Sequence, residues 1–169
     1  AGKLLGRPVH SLLGGPFRDK IRLYSHCQGG DFLSKAEWRD RARVAASVIA
    51  ATADADHEHG VFRAEYVRVL ADAGLIGMHL TGYGCAGADA VSYGLACLEL
   101  EAVDTSWRTF VSVQGSLAMS AIAAFGSEEQ KQRWLPAMAS GTALGCFALT
   151  EPDGGSDPGS MSTTAVFDG

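Results

Sequence analysis

The stretch Gly145-Cys146-Phe147-Ala148-Leu149-Thr150-Glu151-Pro152-Asp153-Gly154-Gly155-Ser156-Asp157-Pro158-Gly159-Ser160-Met161 is where the chain changes character. A short apolar run, bounded by a proline and then by glycines and aspartates, predicts a buried strand over residues 143–149. Its loop would be able to bring backbone close to a ligand. Residues 163–167 predict a second strand, running into the turn signal Asp168-Gly169. Upstream, the apolar spacing is helical. The order is therefore a helical bundle followed by the opening of a β domain, and the question is what the helices hold the loop against.

Working back from the loop, Ser127-Glu128-Glu129-Gln130 is a capping box that opens a helix carrying Trp134, Leu135 and Met138, limited by Pro136 and Gly141. Before it, Asp104-Thr105-Ser106 caps a helix over residues 107–125, with Phe110, Val111, Val113, Leu117, Ala118, Ala121 and Ile122 as its expected core. Arg108 and Gln114 are the polar exceptions on this element. A charge such as Arg108 must be paired, exposed at the helix start or turned towards a ligand. Asp89 caps a helix that is apolar on most faces, from Val91 through Tyr93, Leu95, Ala96, Cys97 and Leu98 to Leu100, the pattern of a buried helix. The glycine-rich residues 82–88 lack the lysine and preceding strand of a phosphate-binding loop and predict a tight turn. Residues 61–73 predict a helix stopped by Gly74. Ser34-Lys35-Ala36-Glu37 is another capping box, opening a helix whose apolar side is Trp38, Ala42, Ala45, Ala46, Ile49 and Ala50.

The 169 residues suffice for one well-cored domain, and the 47% hydrophobic and 20% charged fractions are those of a globular protein. A net charge of −5 without a basic cluster argues against a nucleic-acid or anionic-membrane surface. The apolar runs are too short to span a bilayer and the first residues lack a secretory pattern, so the expected location is the cytoplasm or an organelle matrix. Cys27, Cys85, Cys97 and Cys146 form no C-x-x-C pair and are expected to be reduced structural thiols. In Asp54-Ala55-Asp56-His57-Glu58-His59 the two histidines are two residues apart and do not share a helical face. A solvated helix end is expected there, with no metal site.

Residues 149–161 resemble the signature loop of the acyl-CoA dehydrogenases, the L-T-E-P-x-x-G-S-D pattern. Upstream runs agree in order: Tyr93-Gly94-Leu95, Glu99-Leu100-Glu101-Ala102-Val103-Asp104, Arg108, Ser112-Val113-Gln114, Ser116-Leu117, Gly126-Ser127-Glu128-Glu129-Gln130 and Trp134-Leu135-Pro136. Within the family the chain looks most like the glutaryl-CoA dehydrogenase branch. The resemblance implies a mainly α chain, with the N-terminal helical bundle over residues 37–142 and the first strands of the middle β domain over residues 143–169. It also implies FAD as cofactor, an acyl-CoA substrate, electron-transfer flavoprotein as electron acceptor, a homo-oligomeric parent enzyme, and a bacterial cytoplasmic or mitochondrial-matrix location. By this resemblance Phe147, Ala148, Leu149 and Thr150 would lie along the flavin, and Ser156 would reach the acyl-CoA near the FAD pyrophosphate. Glu151 is not the family's base, and its place beside Pro152 suggests that it fixes the loop. Arg108 and Thr109 match the arginine and hydroxyl that hold the far carboxylate of glutaryl-CoA, with Trp107 in place of the usual tyrosine and Thr109 in place of the usual serine. Other dehydrogenases also keep an arginine here, which leaves the substrate and a decarboxylating step open. The catalytic glutamate of the family belongs to a C-terminal helical domain, so no catalytic residue is expected among these 169.

Residues 1–30 resemble a different family, the junction between capping domain and first barrel strand in mandelate-racemase-type members of the enolase superfamily. Lys3-Leu4-Leu5-Gly6-Arg7-Pro8-Val9 and Leu12-Leu13-Gly14-Gly15 predict a short helix, and residues 17–25 a strand. Residues 31–36 then form a junction. The alternative to a dehydrogenase fragment is a non-enzymatic helical module or chimera without flavin affinity. An enolase-superfamily lyase is a third reading, and it lacks the later strands that would carry its metal ligands.

Overall fold

A computed structural model describes residues 33–166; the helix and strand expected within residues 1–25, the junction near residues 28–31, Cys27 and Phe167 lie outside the described residues. The element order is α1 (Lys35–Ala50), α2 (Ala53–His59), α3 (Glu65–Asp72), a hairpin of β1 (Thr81–Gly82) and β2 (Cys85–Ala86), α4 (Ala90–Glu101), α5 (Thr105–Ser112), a π-helical segment (Val113–Met119), α6 (Ser120–Phe125), α7 (Glu128–Ala139) and a 3-10 turn (Pro158–Ser160). The expected mainly α bundle is what the chain forms.

Both capping boxes are present. Ser34 Oγ accepts from Glu37 N at 3.3 Å while Glu37 Oε2 accepts from Ser34 N at 2.6 Å. Ser127 Oγ accepts from Gln130 N at 3.2 Å while Gln130 Oε1 accepts from Ser127 N at 2.8 Å. Each box satisfies two amides that the first helical turn leaves without partners. Asp89 and Asp104 cap α4 and α5 through Ser92 N and Ser106 N.

Helix α1 buries Trp38, Ala42, Ala45, Ala46 and Ile49 and packs chiefly on α4; Ala50, expected on that side, is exposed. Its alanines let α4 come close, and α4 answers with Ser92, Ala96 and Leu100 at helical spacing. Above this seam Glu99 accepts from Arg39 Nε at 2.5 Å and from Arg43 Nη2 at 3.2 Å. The arginines hold the Glu99 carboxyl below its ordinary range. Both are about half exposed, so the cluster orients the pair of helices more than it stabilises them. The expectation of a fully buried α4 is corrected: Leu98 is 55% exposed, Gly94 is exposed, and Tyr93, Leu95 and Cys97 are half-buried. The Ser92, Ala96 and Leu100 face of α4 meets α1 and Tyr93 reaches His79 and Ser116, while the side carrying Gly94 and Leu98 is open among the described residues.

The acidic and histidine-rich stretch is a helix, α2, yet not merely a solvated end. Asp56 turns inward, accepting from Arg63 Nε at 2.5 Å, Arg63 Nη2 at 2.8 Å and Thr52 Oγ1 at 2.6 Å. Tyr66 OH lies 2.7 Å from the same Thr52 hydroxyl. The bidentate Arg63 fork, then the threonine, lower the Asp56 pKa. No group of three metal-binding side chains occurs among the described residues.

The third expected helix is shorter than its pattern, Glu65–Asp72, because residues 61–64 turn outward from it; Gly74 follows at φ +74°. The glycine-rich loop is the tight turn expected. Gly82 pairs with Cys85, and the two residues between them, Tyr83 (φ 53°) and Gly84 (φ 83°), both have positive φ, the type I′ hairpin turn. Tyr83 OH donates to Glu128 Oε2 at 2.9 Å, fastening the hairpin to α7.

Residues 105–125 form one helical run whose centre is π-helical. The expected core of this run is corrected in part: Val111 and Ala118 are buried, Phe110, Val113, Ala121 and Ile122 are half-buried, and Leu117 is 43% exposed. The wider i→i+5 turns advance the inward face, so Gln114, Gly115 and Met119 take core positions instead. Ser120 Oγ donates back to Gly115 O at 3.0 Å across the segment.

Residues 143–149 are not a buried strand. Residues 144–150 are extended without ladder pairing, and Leu144, Phe147 and Leu149 are 57%, 41% and 37% exposed. Residues 163–166 are likewise extended and exposed. A strand is completed by a neighbour's backbone ladder, and none lies beside either stretch among the described residues.

Candidate functional site

Residues 143–150, a bend at 143 followed by a stretch without helix or ladder, lie against the end of the bundle. Ala143 N donates to Ala137 O at 3.0 Å, tying the segment to the close of α7. Gln114, 2% exposed, then reaches it from the π segment: its Nε2 donates to Ala143 O at 3.1 Å and its Oε1 accepts from Gly145 N at 2.8 Å. Between α6, α7 and the segment runs an apolar groove of about 520 Å³, whose lining includes Ile122, Phe125, Trp134, Leu144, Cys146 and Phe147. The sequence singled out Gln114 as an exception but did not say what it meets, because its partners are about thirty residues away.

Past Gly145 the segment is open. Among the described residues the backbone groups of residues 146–150 make no hydrogen bond, and the Thr150 hydroxyl makes none either. Phe147, Ala148, Leu149 and Thr150 therefore present unused donors and acceptors beside an apolar wall. Such a surface fits a flat, largely apolar ring system with a polar edge.

The loop that follows is closed by Glu151. Its backbone exchanges hydrogen bonds with Gly154 at 2.9 and 3.2 Å, and its carboxylate accepts from Ser162 N (2.8 Å), Ser162 Oγ (2.9 Å) and Thr163 N (2.8 Å). These donors, the Ser162 amide first, lower the Glu151 pKa to about 2. Glu151 thus fixes the loop, with both carboxylate oxygens engaged by loop donors. Ser156 is exposed on this loop. Because the folded pKa lies below the ordinary carboxyl value, the closure is complete above about pH 4.5 and is lost as pH falls towards about 2. Glu151→Gln keeps one acceptor and turns two N–H donors on the loop. Its Ser162 and Thr163 amides are expected to exchange with deuterium at the open-loop rate at every pH, whereas in the wild-type chain their protection relative to the intrinsic rate falls only below about pH 4.5.

Arg108 and Thr109 sit elsewhere. Arg108 lines a shallow depression with Gly94, Cys97, Leu98, Glu101 and Ala102, and none of these residues lines the groove beside Phe147. Its Nε donates to Glu101 Oε2 at 2.5 Å, and this pairing lowers the Glu101 pKa. The Arg108 Nη groups have no partner among the described residues, so one side of the fork is open. Thr109 is exposed and does not line the depression. Cys85 and Cys97 are half-buried thiols, their pKa raised by burial, while Cys146 is exposed on the groove.

One serine–histidine contact invites a nucleophile reading. His79 Nε2 lies 3.0 Å from Ser120 Oγ, but the Ser120 proton is directed to Gly115 O, so the hydroxyl accepts from the imidazole N–H. The pair bridges the hairpin region to the π segment and leaves no base for the hydroxyl.

The family description "Acyl-CoA dehydrogenase, N-terminal domain" matches residues 35–142. The chain is 41% identical over 129 residues to an acyl-CoA dehydrogenase of Bacillus subtilis (strain 168), covering 76% of this chain and 33% of that protein. It is 40% identical over 132 residues to the mitochondrial short-chain specific acyl-CoA dehydrogenase of Homo sapiens, covering 78% of this chain and 31% of that protein. Among solved structures, a glutaryl-CoA dehydrogenase from Mycobacterium smegmatis in complex with FADH2 superposes with a TM-score of 0.72 at 48% identity, over 75% of this chain and 33% of that one. The chain thus spans about a third of the length of these relatives. A bundle of this order, ending in this segment and this Glu151-closed loop, belongs to the acyl-CoA dehydrogenase family.

Proposed function

We propose that residues 37–142 are the N-terminal helical domain, and residues 143–169 the opening of the middle β domain, of an FAD-dependent acyl-CoA dehydrogenase. Such an enzyme oxidises the bond between the two carbons next to a thioester. The observation that carries the reading is the exposed segment of residues 146–150, whose backbone groups are unpaired beside an apolar groove and which is anchored at both ends by Gln114 and Glu151. Phe147, Ala148, Leu149 and Thr150 hold the cofactor through main-chain groups and the Thr150 hydroxyl, and Ser156 contacts the acyl-CoA near the cofactor's pyrophosphate. When bound, FAD supplies the hydride acceptor. These residues orient it and keep water from its face. In this reading none of the described residues is assigned as the proton-abstracting base. Electron-transfer flavoprotein as acceptor and a homo-oligomeric assembly belong to the same reading.

For the acyl chain, the open Nη side of Arg108 suits a terminal carboxylate, with Thr109 on the next position of α5, and Glu101 holding the guanidinium in place through Nε. This supports a dicarboxylic acyl-CoA such as glutaryl-CoA as substrate.

The test is an FAD titration of the 15N-labelled chain. Amide shifts are expected at residues 146–156, with quenching of flavin fluorescence. No shift in that stretch at about 1 mM FAD, where even a binding energy of about 4 kcal/mol would be visible, overturns the flavin reading in favour of a helical module without cofactor.

A further inference from the structure

We infer that Gln114 is a positioning residue that sets the register and the exposed face of residues 146–150. The inference rests on the proposed function for what that face meets, and on the geometry alone for the clamp.

The carboxamide of Gln114, whose N–H and oxygen point the same way, treats residues 143–145 as the N–H and C=O of one residue on a neighbouring parallel strand would. It donates to Ala143 O at 3.1 Å and accepts from Gly145 N at 2.8 Å, groups that lie two residues apart on one edge of the extended chain. The amide is 2% exposed, so either end left without a partner would be a buried unsatisfied polar group. Only one register satisfies both ends. Sliding the segment by one residue would present the opposite edge and turn each following side chain to the other face. Phe147 would then leave the groove it lines, and the open edge of residues 146–150 would turn inward.

No other group does this work. Residues 142 and 143 are tied to Ala137 O at 2.9 and 3.0 Å, which fixes where the segment starts but not its edge. From Gly145 to Glu151 no further hydrogen bond holds the backbone among the described residues, so Gln114 is the last anchor before the candidate cofactor segment and Glu151 the first after it. The π segment puts the residue there: its wider turns bring Gln114 into the interior beside Gly145, while its neighbour Gly115 packs on Gly77.

The experiment uses the whole 169-residue chain with Gln114→Leu and Gln114→Glu, following hydrogen exchange at the Gly145 amide and the shifts of residues 146–150 between pH 5 and 8. Gln114→Leu is expected to raise Gly145 exchange, corrected for intrinsic rate, by about tenfold or more and to move the shifts of residues 146–150, while amides of α1 and α4 keep their protection. In Gln114→Glu a carboxylate faces Ala143 O and the clamp is half lost. On acidification the carboxyl gains a proton, can donate again, and both Gly145 protection and the native shifts return. A buried packing role would give no such pH-dependent rescue, and the wild-type chain over the same range accounts for His79. Unchanged Gly145 exchange in Gln114→Leu, or no recovery in Gln114→Glu, overturns the inference. If Gln114→Leu does not fold, the acid recovery of Gln114→Glu decides alone. An FAD titration of the wild-type chain is read separately: its failure removes the flavin reading and leaves the exchange result standing.

Discussion

Trp107→Ala is expected to destabilise the bundle by about 3–5 kcal/mol, a large share of the roughly 5–15 kcal/mol that holds a domain of this size. The indole is 7% exposed at the start of α5, where it joins that helix to α3 and to the stretch before it. Phe62 stacks on it at 5.1 Å and 23°, while Tyr66 and Phe110 meet it edge-on, each at 5.6 Å. Truncation removes the centre of the cluster, and the neighbours cannot collapse into the space. Tyr66 is held by Thr52, which also caps the Asp56–Arg63 pair, and Phe110 is fixed by the helix. Phe62, 59% exposed even with its partner, would lose the ring that justifies its position. A thermal melt should show Tm lower by on the order of 10 °C, with a weaker near-ultraviolet tryptophan band, since Trp38 and Trp134 remain. Trp107→Tyr keeps an aromatic face towards Phe62 and is expected to cost about 1 kcal/mol. Equal losses in the two variants would show that the cluster does not carry stability through ring packing.

What was legible in the sequence was local. The capping boxes at Ser34 and Ser127, the aspartate caps at Asp89 and Asp104, and the stop at Gly74 each depend on residues within four positions of one another, and each is present. Glu151 as a loop-fixing residue was also readable from the proline beside it, but its donors, Ser162 and Thr163, lie past the motif and were not. The failures are non-local. Periodicity assumes one helical pitch, and the π segment changes pitch inside residues 105–125. That moves Leu117 out and Gln114 in. Apolar content placed α4 wholly inside, but an apolar face is buried only if something covers it, and among the described residues nothing covers the side of Gly94 and Leu98. The strand expected over residues 143–149 failed for a related reason: its composition suits a ladder, but what meets it is one glutamine side chain from across the bundle. The separation of Arg108 from the signature loop is a tertiary fact that no spacing within α5 encodes.

Gly145→Val should displace that segment outright, at a cost of about 3 kcal/mol, the upper end for overpacking. Gly145 does not need glycine for its backbone, since its φ is not positive, so the requirement is for space. A Cβ placed there would lie 2.5 Å from Met138 Cε and 2.7 Å from Ala118 Cβ. The methionine methyl can swing aside, because a flexible thioether has other rotamers. Ala118 cannot, because its Cβ is fixed to the helical backbone. The segment must therefore lift from the π segment, and lifting stretches both Gln114 hydrogen bonds, adding the cost of an unsatisfied buried amide to the steric one. Combining Gly145→Ala with Ala118→Gly separates the two causes. Ala118→Gly alone costs about 1 kcal/mol through helix propensity, but in the Gly145→Ala background it removes the clash, so the double variant should be more stable than the sum of the single effects by about 1 kcal/mol or more. Denaturant melts measure this coupling, and hydrogen exchange of the backbone amide at position 145 reports whether the clamp has closed again. Additive losses would mean that the segment already moves freely over Ala118, in which case Gln114 could not be holding its register.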